Sequence, residues 1–529
     1  ADNGAYTATT RVNEGTLSVN GVLGSHVDVA QQGRLGGNGR VGSVFNTGTV
    51  APGNSFGTLT VVGNYVGNGG VLEIETALGG DDSATDRLVV LGDTAGQTEV
   101  VVLNRDGLGG VTVEGIKIID VAGASNGTFV LRGDYVFEGD PAVIGGAYAY
   151  RLFKGGISDP TDGDWYLRTT LEDDGDDGDD ATPQPQPQPQ PGPQPGPQPA
   201  PSPAPSPATG EVGVVYQPGV PVYEGYVQTL LALSELPTMQ ERVGNRTWAG
   251  SPIHAGSGIW GRIRSTRHRP EAAFSTSGTD KNINSWQMQL GMEQTLAQRS
   301  DGSTLIGAVT AHYGKADGHV ASRFGRGAIK TKGHGLGATL TWHSPSGFYA
   351  DGQAQVSWFS SDLTSGTLGA LTKDNDGTGV GFSLELGKRA SLGGGLSLTP
   401  QIQVSYAHAD FDRFVDPAGA VVKADQAESL RTRWGLSLDH QATVGANRSR
   451  YLYGIVNISR EWLAETGVMV SGTDILNRER AWWGEIGLGG SYTWNGRVTL
   501  YAQGSGKTAL GDFGDSYSLK GTVGLRASF

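Results

Sequence analysis
The chain has no cysteine, few positive charges and no long apolar run. Zero cysteine excludes a disulfide framework and a thiolate-ligated metal site. Lys and Arg number 39 against 53 Asp and Glu, a formal net charge of −14, which gives no basic footprint for nucleic acid. No stretch of ~18 apolar residues is present for a membrane helix. Membrane strands stay open, because barrel strands are only ~9–11 residues long and alternate in polarity. The nine His show no metal-ligand spacing and no Ser/His/Asp set stands out, so no metal, cofactor or catalytic residue is expected. Ala1 opens no positively charged and then apolar leader, so the chain reads as a fragment or mature form of something longer.

What the chain does have is glycine, 85 of 529 residues, and period-two alternation. From Tyr517 to Phe529 the odd positions are Tyr517, Leu519, Gly521, Val523, Leu525, Ala527 and Phe529, while the even positions are Ser518, Lys520, Thr522, Gly524, Arg526 and Ser528. One face of such a strand is apolar and the other polar, as in the last strand of a membrane barrel with lipid outside and a polar lumen inside. Similar stretches recur upstream, giving twelve expected strands at about 258–268, 283–296, 304–315, 333–343, 348–359, 379–389, 396–407, 428–444, 450–462, 482–494, 497–507 and 516–529. Ten of the eleven Trp lie from Trp248 onward, as interfacial aromatic girdles require. Connections after even strands are short, such as Asn495–Gly496. Those after odd strands are mostly long and polar, as in 316–332, 360–378, 408–427 and 463–481. That asymmetry belongs to an outer-membrane barrel.

Upstream, residues 1–76 carry short apolar pulses separated by Gly and Asn, which suits the coils of a parallel β-helix whose N-terminal cap is missing. Residues 77–171 read as longer strands that cap this solenoid. Composition then breaks. Glu172–Asp180 holds seven acidic residues among nine, and from Pro183 to Pro207 every second residue is Pro. The acidic run lacks the spacing of a calcium loop, so both read as linker (172–211), the second a stiff polyproline II spacer at ~3.1 Å per residue. A linker and helix region follows at 212–248, and the barrel occupies 249–529. The one credible helix is Val222–Val243, with Val222, Tyr226, Leu230, Leu233 and Leu236 near one face, Pro237 interrupting it and Gly244 ending it.

Three motifs resemble chemistry. Gly53–Asn54–Ser55–Phe56–Gly57 matches GxSxG, but a strand rather than a helix follows. Gly37–Asn38–Gly39–Arg40–Val41–Gly42 matches GxGxxG without a following helix. Arg132–Gly133–Asp134 is the tripeptide of integrin-binding adhesins, set against the alternative of an ordinary solenoid turn.

Taken in order, the chain resembles the C-terminal portion of a pertactin-like autotransporter of the type V secretion class. The resemblance rests on Gly48–Thr49–Val50–Ala51–Pro52–Gly53–Asn54–Ser55 with Gly57–Thr58–Leu59–Thr60–Val61, and on Asp86–Arg87–Leu88–Val89–Val90. Gly146–Ala147–Tyr148–Ala149–Tyr150 with Gly163–Asp164–Trp165–Tyr166–Leu167 adds to it, as do Val215–Tyr216–Gln217–Pro218–Gly219–Val220–Pro221, Arg242–Val243–Gly244 and the final strand. It implies an all-β chain: the end of a parallel β-helical passenger, an autochaperone segment before the linker, and a 12-stranded antiparallel barrel with one α-helix in its lumen. Twelve strands leave a bore near the ~10–12 Å width of one helix, so Val222, Tyr226, Leu230, Leu233 and Pro237 are expected in the pore. Arg262, Arg264, Glu293, Glu385, Arg431 and Arg433 are expected to face it. The resemblance also implies that Leu525, Ala527 and Phe529 form the signal read by the barrel-assembly machinery. Expected partners are outer-membrane lipid, that machinery, periplasmic chaperones and a host surface receptor; the barrel is expected to be a monomer in the outer membrane with its passenger at the cell surface. The leading function is export and display of an adhesin or virulence factor. The alternatives are an anchor for an upstream enzyme, such as a protease or esterase, and a simple porin, against which the solenoid argues.

Overall fold
The computed structural model describes residues 3–170, 208–209, 213–244, 257–445 and 447–529. The acidic and proline-rich linker expected at 172–211 lies outside them, apart from Ala208–Thr209, as does Trp248.

The N-terminal part is a parallel solenoid. One ladder runs through Thr10–Ser18, Val27–Gly37, Val44–Asn46, Tyr65–Thr76, Thr94–Asn104 and Thr128–Leu131; a second runs through Val22–Leu23, Arg40–Val41, Thr58–Val61, Arg87–Val90 and Ile116–Val121. Alternate residues point inward and stack rung on rung, so Val29, Leu35, Val44, Leu59, Leu72, Ile74, Leu88 and Val90 have at most 1% of their surface exposed. Parallel pairing passes residue 76 without a break, as in Val100↔Leu72 and Val100↔Leu131. The change to antiparallel pairing falls at Tyr135, within the segment 77–171 read as the cap. From there Tyr135–Phe137, Asp140–Gly145, Tyr148–Lys154 and Trp165–Arg168 pair in sequence, and the last of them closes back on Ile116–Val121. The free edge of Ile116–Val121 is thus covered, which removes a template for stray pairing there.

Among the described residues, twelve strands close the C-terminal barrel: β1 (Gly258–Arg269), β2 (Asp280–Gln298), β3 (Thr304–Ser322), β4 (Gly325–His343), β5 (Phe348–Ser365), β6 (Gly369–Lys388), β7 (Leu396–Phe411), β8 (Glu428–Gly445), β9 (Arg448–Glu461), β10 (Trp482–Trp494), β11 (Val498–Ala509) and β12 (Tyr517–Ser528). Neighbours are antiparallel throughout, and β1 pairs with β12 from Gly258↔Ser528 to Arg269↔Tyr517. Closure leaves no edge, the condition for spanning hydrocarbon with strands. Met288, Leu290, Met292, Phe382, Leu384, Leu436, Leu438 and Leu525 point outward, and Gln287, Gln289, Glu293, Glu385, Arg433 and Asp439 point inward. No described helix is long and apolar enough to cross a membrane.

The connections at the long end differ from expectation. Residues 316–332 and 360–378 are not loops: β3 and β4 pair out to Ser322↔Gly325, and β5 and β6 out to Ser365↔Gly369. The lipid-type alternation is reversed there, because Lys315, Asp317, Lys330 and Lys332 point outward while Ala316, Val320 and Ile329 point inward and are buried, and the backbone ladder continues regardless of polarity. The stretches 408–427 and 463–481 form a second sheet instead. Ala272–Ser275, Thr473–Glu479, Glu465–Val470, Val421–Gln426 and Phe414–Val415 lie side by side across that mouth, with Val422, Val470 and Ile475 fully buried.

The expected single helix is two helices. α1 (Val220–Ser234) starts with proline at its first turn, where the missing N–H is harmless. α2 (Met239–Val243) starts at Thr238, whose side chain and Glu241 form a reciprocal capping box. Between them Pro237 excludes the helical conformation from its predecessor, so the chain runs extended from Glu235 rather than kinking.

Candidate functional site: the occupied lumen
Both helices lie inside the barrel. α1 enters at the long-connection mouth, packs against β2, β3, β4 and β7, and gives way to α2 near the short-turn end. Val222, Tyr226, Leu230 and Leu233 are at most 2% exposed.

The wall that α1 leans on is built with glycine. A Cβ on Gly327 would lie 2.3 Å from Val222 Cγ2, one on Gly318 2.8 Å from Thr229 Oγ1, and one on Gly333 3.3 Å from Leu233 Cδ1. The helix answers with Gly225, whose Cβ would meet Val320 Cγ1 at 2.8 Å. Removing side chains at these points lets helix and wall approach closely.

A helix that ends inside a barrel leaves its last carbonyls without partners. Here the wall supplies donors. Gln287 Nε2 donates to Leu233 O at 3.2 Å, Gln355 Nε2 to Ser234 O at 2.9 Å and Arg264 Nη1 to Glu235 O at 3.2 Å. Pro237 O accepts from Gln353 at 2.8 Å and Gln403 at 3.2 Å. At the short-turn end, Glu385 Oε2 accepts from Met239 N–H at 3.1 Å, and Tyr501 Oη donates to Arg242 O at 2.6 Å.

Charged and polar side chains fix the rest. At the mouth, Gln217 and Tyr223 both donate to Asp416, at 2.8 and 2.7 Å, and Tyr226 Oη donates to Asn375 at 2.9 Å. Glu224 accepts from Ser277 and Asn477 at 2.6 and 2.7 Å. Midway, Glu235 pairs with Arg264 and Arg431 at 3.3 and 3.2 Å. Below, Arg242 pairs with Asp351, both fully buried, and Glu241 pairs with Lys520 at 2.5 Å. A cavity of about 190 Å³ remains beside α1, lined by Asn457, Glu461, Glu485, Ser505, Lys507 and Lys520 among others. The lumen is therefore tightly packed on one side of the helix and polar and open on the other.

Of the residues expected to face the helix, Arg264, Glu385 and Arg431 touch its chain directly. Arg433 reaches it through Glu385 at 3.3 Å, while Arg262 bonds to Gln289 and Glu293 pairs with Arg526, both contacts between wall residues. Composition-minded reading missed the glutamines. Their signal is present as three Gln-x-Gln repeats, Gln287/Gln289, Gln353/Gln355 and Gln401/Gln403, each placing two amides on the same inward face.

Elsewhere, Leu525, Ala527 and Phe529 lie along the outer face of β12 and its end, with the Phe529 N–H donating to Ser257 O at 2.9 Å. In Arg132–Gly133–Asp134 both charges are engaged internally: Arg132 pairs with Glu99, and Asp134 accepts the Ile144 N–H at 2.8 Å. Gly53 and Gly37 take positive φ in solenoid turns, and no helix follows either motif. Among the described residues no group of His, Asp and Glu could hold a metal.

The sequence model described as "Autotransporter beta-domain" matches residues 259–505, and "Autochaperone Domain Type 1" matches residues 38–152. The chain is 41% identical over 546 residues to the adhesin BmaC autotransporter of Brucella suis biovar 1 (strain 1330), across 99% of this chain and 15% of that protein. It is 26% identical over 505 residues to the autotransporter adhesin AIDA-I of Escherichia coli, across 90% of this chain and 34% of that one. The solved transport unit of AIDA-I superposes with a TM-score of 0.48 at 17% identity, over 59% of this chain and all of that one. This chain thus spans only a small part of the length of these two adhesins.

Proposed function
Because this chain belongs to the autotransporter family, with the translocator β-barrel of an outer-membrane protein and an autochaperone region before it, we propose that it exports its own N-terminal passenger through the barrel and displays it at the cell surface. The observation that carries this reading is the path of the chain. It leaves the solenoid, enters the lumen at the long-connection mouth beside Asp416, and reaches the short-turn end beside Asp351 before β1 begins. A chain threaded this way is what remains when the segment ahead of it has passed through the same bore. The helices then stay behind as a plug whose polar groups the wall satisfies.

The displayed passenger is an adhesin in this reading, its partner a host surface receptor; the relative's name, adhesin, supports that over an enzyme. The outward apolar belt supports contact with outer-membrane lipid as a monomer. The last strand, ending on Phe529, supports recognition by the barrel-assembly machinery after periplasmic chaperones have held the chain. Replacing Phe529 with Asp lowers the amount of inserted barrel while leaving periplasmic chain; unchanged insertion would remove that role. The export path itself is tested by single-channel conductance. Deleting Val220–Val243 converts a nearly closed pore to a large open one, and equal conductance would place the exported chain elsewhere.

A further inference from the structure
The described residues that flank the proline-rich linker lie together. Thr170, before it, and Val214, after it, are antiparallel bridge partners, so the chain between them starts and ends at one place. Val214–Gln217 then runs extended inside the solenoid's cap, with Val214 bridged to Thr170 and Tyr216 to Tyr148. Val215 N–H donates to Thr169 O at 2.6 Å, Ala149 N–H to Val215 O at 3.0 Å, and Gln217 N–H to Ala147 O at 3.0 Å. Val215 and Gln217 are fully buried and Tyr216 is 6% exposed. Three residues later the same chain becomes α1 in the lumen.

The barrel adds a second hold. Arg323 and Phe324 form the tip between β3 and β4. Arg323 donates to both carboxylate oxygens of Glu138 in the cap, at 2.7 and 2.8 Å. The Phe324 ring stacks on Phe137 at 5.9 Å and meets Tyr216 edge-on at 5.4 Å, and Tyr216 stacks on Tyr148 at 5.6 Å. Edge-to-face and stacked pairs of this kind add to simple burial, and a bidentate guanidinium–carboxylate pair adds direction.

We infer that passenger and barrel are joined by a docked interface, with Val214–Gln217 as an added strand of the cap, and that a chain cut anywhere between residues 171 and 212 keeps its two pieces together. The occupant of the barrel's outer rim is the chain's own autochaperone end. The linker carries neither the distance nor the attachment, and its cleavage is not release. The inference rests on the display reading only for its biological meaning, since the contacts exist whichever side the solenoid faces.

The test uses the purified full chain in detergent, where sidedness plays no part, with a specific protease site placed between residues 183 and 207. After complete cleavage the two fragments co-elute on size-exclusion chromatography and part only when denatured; separation of the fragments in native buffer overturns the inference. The same chain carrying Arg323→Glu and Phe324→Ala places two like charges at Glu138 and removes the ring, and its cut fragments dissociate about tenfold faster. An unchanged rate would overturn docking through this rim. Heat-modifiable migration of the barrel in the uncut variant verifies its fold. A further chain joining Thr170 to Gly213 through a four-residue Gly-Ser turn keeps a protease-resistant solenoid on a folded barrel; loss of that resistance would show the linker is needed as a spacer and overturn the inference.

Discussion

Gly225 is the place where the seating of the plug can be graded. It sits in the interior of α1, where glycine is worth roughly 1 kcal/mol less than alanine in helix propensity. Its replacement by alanine gains that propensity but sets a Cβ 2.8 Å from Val320 Cγ1 and 3.3 Å from Ile329 Cδ1, both ends of side chains able to shift slightly. Gly225→Ala is therefore close to neutral. Gly225→Leu pushes three more carbons into the β3–β4 wall, and overpacking of that kind costs about 1–3 kcal/mol. Net of the propensity gain, up to about 2 kcal/mol is lost from the seated state, a shift of up to about 30-fold in the seated-to-unseated ratio. Planar-bilayer recordings should show open intervals rising by that factor in Gly225→Leu and hardly at all in Gly225→Ala. Adding Val320→Ala to the leucine variant makes room and returns the pore toward closed. A leucine variant as quiet as the wild type would refute packing of α1 on this wall.

Replacing Gln287 and Gln355 together by Leu leaves the Leu233 and Ser234 carbonyls buried without donors, at about 1–3 kcal/mol each, so the plugged barrel unfolds at lower temperature; an unchanged melting temperature would mean the carbonyls find other partners. In the solenoid, burial beside Glu75 and Glu73 pushes the Asp86 carboxyl up to about 6 from 3.8, although it accepts the Gly57 and Glu75 N–H groups. The folded state thus takes up the proton more readily than the unfolded chain. This contribution is complete below about pH 4 and is lost as pH rises through about 6. The solenoid resists proteolysis better at pH 5 than at pH 7, by about 1 kcal/mol at most, and Asp86→Asn flattens that difference; a variant with the same pH profile would contradict it.

Much of the architecture is legible because a barrel strand records its surroundings at every second residue. Tyr517–Phe529 carries lipid and lumen in alternate letters, and so do the cores of the other eleven strands. Strand ends are not recorded this way. Beyond Lys315 and Ser360 the outward face turns polar while Ala316, Val320, Ile329 and Leu363 are buried inside, so the pattern of apolar outside and polar inside that marks a lipid-facing strand is lost although the backbone pairing continues. The switch to antiparallel pairing at Tyr135 is hidden for a related reason: parallel and antiparallel rungs bury the same alternation. Pro237 marks the interruption between the helices, but the start of the first at Val220 follows from Pro221 being harmless in a first turn. The helix's partners were harder to see. Arg264, Glu385 and Arg431 stand out as charges on inward positions, whereas Gln353, Gln355 and Gln403 look like ordinary polar lumen residues until the carbonyls they serve are located. The glycines at 318, 327 and 333 resemble the many turn glycines of the chain, and only the proximity of α1 gives them a role. Composition reads the linker as a stiff spacer, since proline fixes local extension; where its ends lie is set by the pairing of Thr170 with Val214.

The absence of native cysteine makes the central claim directly measurable, because each introduced thiol is the only one. Three single variants suffice: Val113→Cys on the solenoid, Thr367→Cys at the β5–β6 tip and Asn495→Cys at the β10–β11 turn. With a membrane-impermeant maleimide on intact cells, the first two are labelled at once and the third only after the outer membrane is permeabilised. Labelling of Asn495→Cys on intact cells, with Val113→Cys silent, would contradict export of the solenoid through this barrel.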